Sequence, residues 1–362
     1  MGIFDEMAKY GHEQLHFFQH RGTKLKAIVA IHDTTLGPAL GGCRMRPYET
    51  EEDALFDVLR LSRGMTYKCG VADVDNGGGK SVIIGDPNTD KSPEMFRAFG
   101  RFVGSLGGRF YTGTDMGTTP MDFVHASREA QHGGFVGLPE EYGGSGNTAI
   151  PTALGVYQGI RATAKVLWGH EDLTGKRFAV QGVGKVGALT VERLVAAGAQ
   201  VYITDVYQPF VDALVAKVPP VQMLGVVAPD EIYGLDVDMF VPCALGAIVN
   251  DETIPQFKCK AIVGSANNQL LDMEKHGKML HEKGILYAPD YLVNAGGLIQ
   301  VADELKGYVE ARVMAKTNSI YEMLLQVYAL STEQNIPTWL AADRLVEERI
   351  ARVEDLKSMF SL

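Results

Sequence analysis

Lys80 follows three consecutive glycines, Gly77-Gly78-Gly79, and precedes the apolar run Val82-Ile83-Ile84. Asp115 leaves a second short run, Arg109-Phe110-Tyr111-Thr112, with Gly113 and Thr114 before it and Met116 and Gly117 after. Three glycines in a row cost backbone entropy, which a compact protein tolerates where something must approach closely. A neutral lysine beside a carboxylate is a workable acid–base set. Taken alone, Asp115 reads as a loop or N-cap residue; two strand-end loops, one carrying Lys and one Asp, make a functional pair more plausible. Lys68 lies near the end of a helix that a capping box, Thr50-Glu51-Glu52-Asp53, opens and that Leu55, Val58, Leu59 and Leu61 pattern. A cation there suits the helix dipole, so Lys68 by itself reads as a surface cap. The run GGGKS is not a phosphate-binding P-loop. That motif needs a glycine five positions before Gly79, and position 74 is Val.

The most specific stretch is Phe178–Asp205. An apolar run, Phe178-Ala179-Val180, gives way at Gln181 to Gly182-Val183-Gly184-Lys185-Val186-Gly187. Helical spacing through Leu189, Leu194 and Val195 ends near Gly198, and Val201-Tyr202-Ile203 then delivers Asp205. This is the strand–glycine turn–helix–strand–acid order of a dinucleotide-binding βαβ unit. Gly182 suits a tight turn, Gly184 lets backbone approach a pyrophosphate, and Gly187 lets helix and strand pack closely. The helix N-terminus supplies N–H groups for phosphate. A carboxylate at Asp205 accepts hydrogen bonds from a ribose and repels a 2′-phosphate, which favours NAD over NADP.

These residues need elements to hold them. Lys26–His32 is a strand, DTTLGPALGG is a Gly/Pro loop that connects or brings backbone to a ligand, and Ser92-Pro93-Glu94 opens a helix. Past Asp205, the short strands Met239–Val241, Ala261–Val263 and Ile285–Tyr287 each end in a loop of small or polar residues. In doubly wound sheets ligands bind off such ends, so these loops are expected near the nicotinamide, although Asn267-Asn268 also reads as a plain turn. Length (362 residues) favours two domains, and Glu140–Gly146 is the best linker. The tail beyond Val301 is helical and long enough to return to the first domain, which implies a hinge. A net charge of −10 argues against nucleic-acid or anionic-membrane partners. No apolar stretch is long enough to span a bilayer, and the N-terminus lacks a signal peptide's basic and apolar regions. Four scattered cysteines without metal-type spacing suggest no metal site and a cytoplasmic enzyme.

Nearly end to end, the chain resembles the glutamate/leucine/phenylalanine/valine dehydrogenase family. The motifs that carry it are GPALGGCRM, RLSRGMTYKCG, GGGKSVIIGDP, RFYTGTDMGTT, QGVGKVG, DMFVPCALGA, VGSANNQL and YAPDYLVNAGGLIQVADEL. The resemblance implies an α/β protein of two domains with a cleft between them. A substrate-binding and oligomerisation domain at 1–140 would be completed by C-terminal helices at about 331–362, and a Rossmann NAD-binding domain would span 141–330. It further implies a homo-oligomer that catalyses reversible, NAD-dependent oxidative deamination of an L-amino acid to the 2-oxo acid and ammonium.

Carried onto this chain, Lys68 binds the substrate carboxylate with Asn267 assisting. Lys80 activates water and stabilises the carbinolamine oxygen, and Asp115 moves the proton to and from the amino group. Gly41, Gly42 and Met65 join the substrate site, with Leu40, Val293 and Val301 as apolar walls. Gly182, Val183, Gly184, Lys185, Val186, Gly187 and Asp205 bind the adenosine half of NAD, with Thr152, Cys243, Ala244 and Asn268 near the nicotinamide half. Gly113 and Leu298 match the members that act on phenylalanine, where those that act on leucine carry alanine and valine, so an aromatic substrate is expected, with aliphatic ones used as well.

Two residues depart from the pattern: Asn76 stands in an apolar position, with altered packing or preference beside Lys80 expected, and Arg46 replaces an aromatic or aliphatic residue. The alternatives are a leucine or valine dehydrogenase and a catalytically silent NAD-binding sensor; the sensor predicts a missing lysine or aspartate, and Lys68, Lys80 and Asp115 are all present. An enzyme of hydroxy acids would want a His–Asp pair beside an arginine, and the nine histidines fall in no such motif.

Overall fold

The computed structural model describes residues 2–130 and 133–358 and divides into two compact units. Asn147–Ile299 and Glu310–Leu345 form the second unit; the first holds the chain up to Gly146, Gln300–Val309 and the chain from Val346. Residues 331–345 therefore belong to the second unit rather than the first, and residues 359–362 of the expected C-terminal segment lie outside the described residues.

In the first unit the order is α1 (Ile3–Tyr10), β1 (Gln14–His20), β2 (Leu25–Asp33), β3 (Ala39–Arg46), α2 (Glu51–Val71), β4 (Gly77–Ile84), α3 (Pro93–Ser105), β5 (Phe110–Thr114) and α4 (Pro120–Ser127). The sheet runs β1-β2-β4-β3-β5. β1 and β4 lie antiparallel to β2, whereas β3 is parallel to both β4 and β5. Alternation sorts the side chains. Leu25, Ala27, Val29 and Ile31 of β2 pack with Phe96 and Phe99 of α3 and Phe123 of α4. Ile28 and Ala30 point the other way, to Val58 and Leu59 of α2. α2 starts at the capping box read from the sequence, with Thr50 accepting from the Asp53 N–H.

Two stretches expected as loops are strands. The glycines 77–79 open β4 and place Lys80 within the strand, and Leu40-Gly41-Gly42 lie inside β3. The reason is crowding from the neighbouring elements. A Cβ on Gly77 would overlap the Asp33 carbonyl of β2, and one on Gly78 would overlap Thr66 of α2. These glycines are where a helix and strands meet at backbone distance.

The second unit reads α5 (Ala149–Trp168), β6 (Arg177–Gln181), α6 (Lys185–Ala196), β7 (Gln200–Thr204), α7 (Gln208–Val215), β8 (Met223–Val226), β9 (Met239–Pro242), β10 (Ala261–Ile262), α8 (Met273–Lys283), β11 (Leu286–Tyr287) and α9 (Asp290–Val293). The helices α10 (Gly296–Glu304), α11 (Glu310–Asn318), α12 (Ile320–Gln334) and α13 (Thr338–Ser358) follow. The sheet order β11-β10-β9-β6-β7-β8 is parallel throughout. Counted from β6, that is the 3-2-1-4-5-6 order of a doubly wound dinucleotide fold, and its switch point lies between β6 and β9. No helix among the described residues is long and apolar enough to cross a membrane.

Candidate active site

Lys80 belongs to the α2 face of the first sheet, because its strand neighbour Val82 packs into the α2 cluster while Ile83 packs with α3. Asp115 leaves β5 on that same face. The Lys80 ammonium donates to Asp115 Oδ2, and Lys80 is only 5% exposed. Gly42 sits against the pair. A methyl group there would lie 3.3 Å from Lys80 Nζ and 3.0 Å from Asp115 Cβ. A Cβ on Gly41 would lie 3.2 Å from the Met65 side chain of α2, so Gly41, Gly42, Met65, Lys80 and Asp115 are brought together. Lys68 stands half-buried one turn from the end of α2, and Leu40 is buried in β3.

Asp115 is held from several directions. Arg44 Nε of β3 donates to its Oδ1 at 3.3 Å, and the Met116 N–H donates to the same oxygen. Burial alone pushes the carboxyl up, but the charges of Lys80 and Arg44 outweigh it and hold the pKa at about 2. The acid is therefore a carboxylate in the resting protein. Arg44 in turn reaches Asp57 of α2 at 3.0 Å, and Asp57 also accepts from Tyr48 at 2.8 Å and Arg60 at 2.9 Å.

Arg44 and Asp57 escaped the sequence reading. The available signal was alternation: Cys43 and Met45 are core residues, which turns Arg44 toward Lys80. Gly113, on β5, has Val136 against it. A Cβ would lie 2.8 Å from the Val136 carbonyl, so this position faces a chain segment more than open space. That segment is hydrogen-bonded to β5 through Thr112 N–H to Gly134 O at 2.8 Å and Val136 N–H to Thr112 O at 3.1 Å. Val301 lies beside Gly137 in the same unit.

The two departures have structural partners. Asn76 is buried and donates Nδ2 to the Pro38 carbonyl at 3.0 Å, which ties the start of β4 to the entry of β3. The Arg46 guanidinium lies 5.0 Å from the centre of the Tyr48 ring.

In the second unit the glycine turn joins β6 to α6. Gly182 has φ +87°, which only glycine adopts readily, and a Cβ there would crowd Ala244 at 2.6 Å. A Cβ on Gly187 would overlap the Gly182 carbonyl and come within 3.3 Å of Cys243 Cβ. Gly184 differs: a Cβ there meets only the Phe210 ring, at 3.7 Å. Protein packing accounts for Gly182 and Gly187 and leaves the room beside Gly184 for something else. α6 has no side-chain cap and no acidic residue in its first turn, so the N–H groups of Lys185, Val186 and Gly187 begin an uncapped positive helix end. Asp205 accepts the Val183 N–H at 2.7 Å and the Tyr207 N–H at 2.9 Å, which locks the turn to the end of β7.

Around the other strand ends, Asn267 and Asn268 are exposed, and Asn267 Oδ1 accepts from Asn294 Nδ2 at 2.8 Å. Asn268 holds φ +51°. Thr152 of α5 lies beside Gly297 of α10, whereas Val293 is fully buried against Gly159 of α5 and Leu298 is 8% exposed. Among the described residues no group of three or more His, Cys, Asp or Glu side chains could hold a metal ion.

The doubly wound second unit with this turn and the first unit with its buried lysine–aspartate pair define a dinucleotide-dependent oxidoreductase. Comparison with known proteins carries this further. Residues 12–132 match the model of the Glu/Leu/Phe/Val dehydrogenase dimerisation domain, and residues 211–353 match that of glutamate/leucine/phenylalanine/valine dehydrogenase. Phenylalanine dehydrogenase of Thermoactinomyces intermedius is 57% identical over 98% of this chain and 96% of its own. Leucine dehydrogenase of the same organism is 50% identical over 99% and 96%. The crystal structure of L-tryptophan dehydrogenase from Nostoc punctiforme superposes with a TM-score of 0.86 at 44% identity, covering 98% of this chain and all of that one. The chain belongs to the glutamate/leucine/phenylalanine/valine dehydrogenase family, and it is an NAD-dependent amino acid dehydrogenase.

Proposed function

We propose that this enzyme reversibly deaminates L-phenylalanine to the 2-oxo acid and ammonium, with smaller apolar L-amino acids as secondary substrates. The observation that carries the chemistry is the buried Lys80–Asp115 pair against Gly42. The aromatic preference draws support from Gly113 and Leu298 and from the higher identity to the phenylalanine enzyme than to the leucine enzyme.

Lys68 takes the substrate carboxylate, and Gly41, Gly42, Met65 and Leu40 shape the surface beside it. Asp115 accepts the proton released as the substrate ammonium becomes an amine. NAD, when bound, supplies the acceptor for the Cα hydride, leaving an imine carbon for water to attack. Lys80 takes a proton from that water and then holds the carbinolamine oxygen. Asp115 returns a proton to the nitrogen, the C–N bond breaks as the carbonyl forms, and the carbinolamine hydroxyl proton passes to the departing ammonia, which leaves as ammonium.

The second unit suits the dinucleotide. Gly182 to Gly187 and the open space at Gly184 would receive the pyrophosphate, Asp205 the ribose, and Thr152, Cys243, Ala244 and Asn268 the nicotinamide half. Asn267 offers amide donors for a carboxylate, and Val293, Leu298 and Val301 serve as apolar neighbours. We further assign substrate binding and self-association to the first unit and NAD binding to the second, in a cytoplasmic homo-oligomer with no nucleic-acid or membrane partner.

The test is NADH formation at alkaline pH with L-phenylalanine, L-leucine and D-phenylalanine, in wild type and Lys80→Ala. The expected result is a preference for L-phenylalanine and a loss of at least ~100-fold in kcat in the variant. A preference for L-leucine would overturn the substrate while keeping the mechanism. No NADH with any amino acid would overturn both.

A further inference from the structure

Of the two cations on Asp115, one must change its charge during turnover and the other never does. Lys80 is the group that gives and takes a proton, whereas a guanidinium stays protonated at any working pH. Once Lys80 is neutral, Asp115 is a buried carboxylate that has lost its nearest counter-charge. A buried carboxylate without a cation takes up a proton, and that proton would stop it from serving as a base. Something must hold Asp115 ionised while Lys80 is neutral.

We infer that Arg44, clamped by Asp57, is a positioning residue that serves as the permanent counter-charge of Asp115 and allows Lys80 to cycle. The inference rests on the catalytic roles proposed above for Lys80 and Asp115. Its geometry is specific. Arg44 Nε faces Asp115 Oδ1, the oxygen opposite the one Lys80 uses, and Arg44 Nη1 is held by Asp57. Both Arg44 and Asp57 are largely buried, with side chains 13% exposed. Asp57 is itself fixed by Tyr48 and Arg60, so the guanidinium cannot swing away from β5. The side chains come from three elements: β3 supplies Arg44, α2 supplies Asp57 and Arg60, and Asp115 follows β5.

Lys68 of α2 is assigned above to the substrate carboxylate, and the remaining charges near the pair balance one another. Arg44 and Arg60 balance Asp57 and Asp115, which leaves the proton on Lys80 as the surplus charge of the cluster. Cys43, next to Arg44, is buried and its thiol is pushed up to about 12, so it stays neutral. The Tyr48 phenol is raised by burial and by its bond to Asp57 and stays neutral too. Arg46 lies over Tyr48 but is exposed and screened by solvent. On the opposite side of the sheet, Asp122 is paired with Lys91 at 2.9 Å.

The test compares wild type, Arg44→Met, Arg44→Lys, Asp57→Asn, the Arg44→Met/Asp57→Asn double variant and Asp115→Asn. Each is assayed for L-phenylalanine oxidation across pH, with the unfolding midpoint measured alongside. Removing a fixed cation makes the Lys80–Asp115 pair hold its proton more tightly. Arg44→Met should therefore move the acid limb of kcat/KM to higher pH by about one unit and lower kcat about tenfold, with KM within about twofold. Arg44→Lys should recover part of both effects. Asp57→Asn removes a fixed anion as well as the clamp, and the two act in opposite directions, so its limb should move to higher pH by less than that of Arg44→Met, and the double variant should be no worse than Arg44→Met alone.

An unmoved acid limb in Arg44→Met, with Asp115→Asn inactive, overturns the role of Arg44 and leaves that of Asp115 standing. If Arg44→Met fails to fold, the same judgement passes to Asp57→Asn, whose limb must move. Full activity in Asp115→Asn overturns the catalytic reading of Asp115 itself, and the counter-charge falls with it.

Discussion

At the scale of single residues, Gly113 shows a different physical cause for its missing methyl group from the one its sequence position suggests. By resemblance, a glycine here in place of alanine marks an aromatic substrate. In the structure that methyl would meet the Val136 carbonyl at 2.8 Å and a Val136 methyl at 3.3 Å. A contact of 2.8 Å to backbone is not relieved by a side-chain rotation, so Gly113→Ala must displace the 134–136 segment that pairs with β5. Such overpacking costs about 1–3 kcal/mol. Gly113→Ala is therefore expected to lower the unfolding midpoint, and the phenylalanine-to-leucine ratio of kcat/KM should fall as the segment moves. Val136→Ala relieves the side-chain contact but leaves the carbonyl in place, so it should recover only a small part of the stability in the double variant. Full recovery would mean that the strain lies in the Val136 side chain rather than the backbone. Lys80 and Asp115 were legible as a pair because each lies among small residues beside an apolar run, although Lys80 lies inside β4 and not at its end. Arg44 was not, because alternation in GGCRM sets only its face of the strand, and the aspartates it meets, Asp57 and Asp115, come from other elements.

At the scale of elements, the glycine turn separates packing from binding. A Cβ on Gly187 would overlap the Gly182 carbonyl, so Gly187→Ala must push α6 away from β6. Gly184 has 3.7 Å to the nearest ring, an ordinary contact, so Gly184→Ala is compatible with the fold but fills the space that a pyrophosphate needs. Calorimetry with and without NAD distinguishes them. Gly187→Ala should lose stability without ligand, by about 1–3 kcal/mol. Gly184→Ala should melt like wild type without ligand and lose the NAD-induced shift, which at a hundredfold excess over Kd corresponds to about 2.7 kcal/mol in wild type. Equal stabilisation of Gly184→Ala by NAD would sink this placement of the cofactor. This βαβ unit was readable because each of its links is local: a strand, a turn, a helix and an acid within 28 residues of Phe178–Asp205. The glycines of β4 were misread as a loop because what they accommodate, Asp33 and Thr66, is remote in the chain.

At the scale of the whole molecule, the two sheets carry separate cores, and pH acts on the first. His12 and His32 are buried side by side, 4.8 Å apart, with His12 bonded to Ser62 at 2.9 Å and His32 to Thr66 at 2.8 Å. Burial lowers His12 to about 4 and also depresses His32. A histidine unfolds into water with a pKa near 6.5. The unfolded chain thus binds more protons than the folded one between about pH 6.5 and 4, and stability falls as the pH drops through that window. Unfolding midpoints measured from pH 7 to 4.5 should decline with a slope that His12→Asn reduces, since a histidine held low in the folded protein is removed. An unchanged slope would mean that other groups govern the acid limit. What the chain determined by itself is what depends on local order and composition: the dinucleotide turn, the capping box at Thr50, a lysine and an aspartate among small residues beside apolar runs, and the family they signal. What only the tertiary structure decided is what depends on which strands become neighbours. β3 lies between β4 and β5, and that adjacency, made by hydrogen bonds between segments tens of residues apart, sets Arg44 beside Asp115 and Gly42 beneath Lys80.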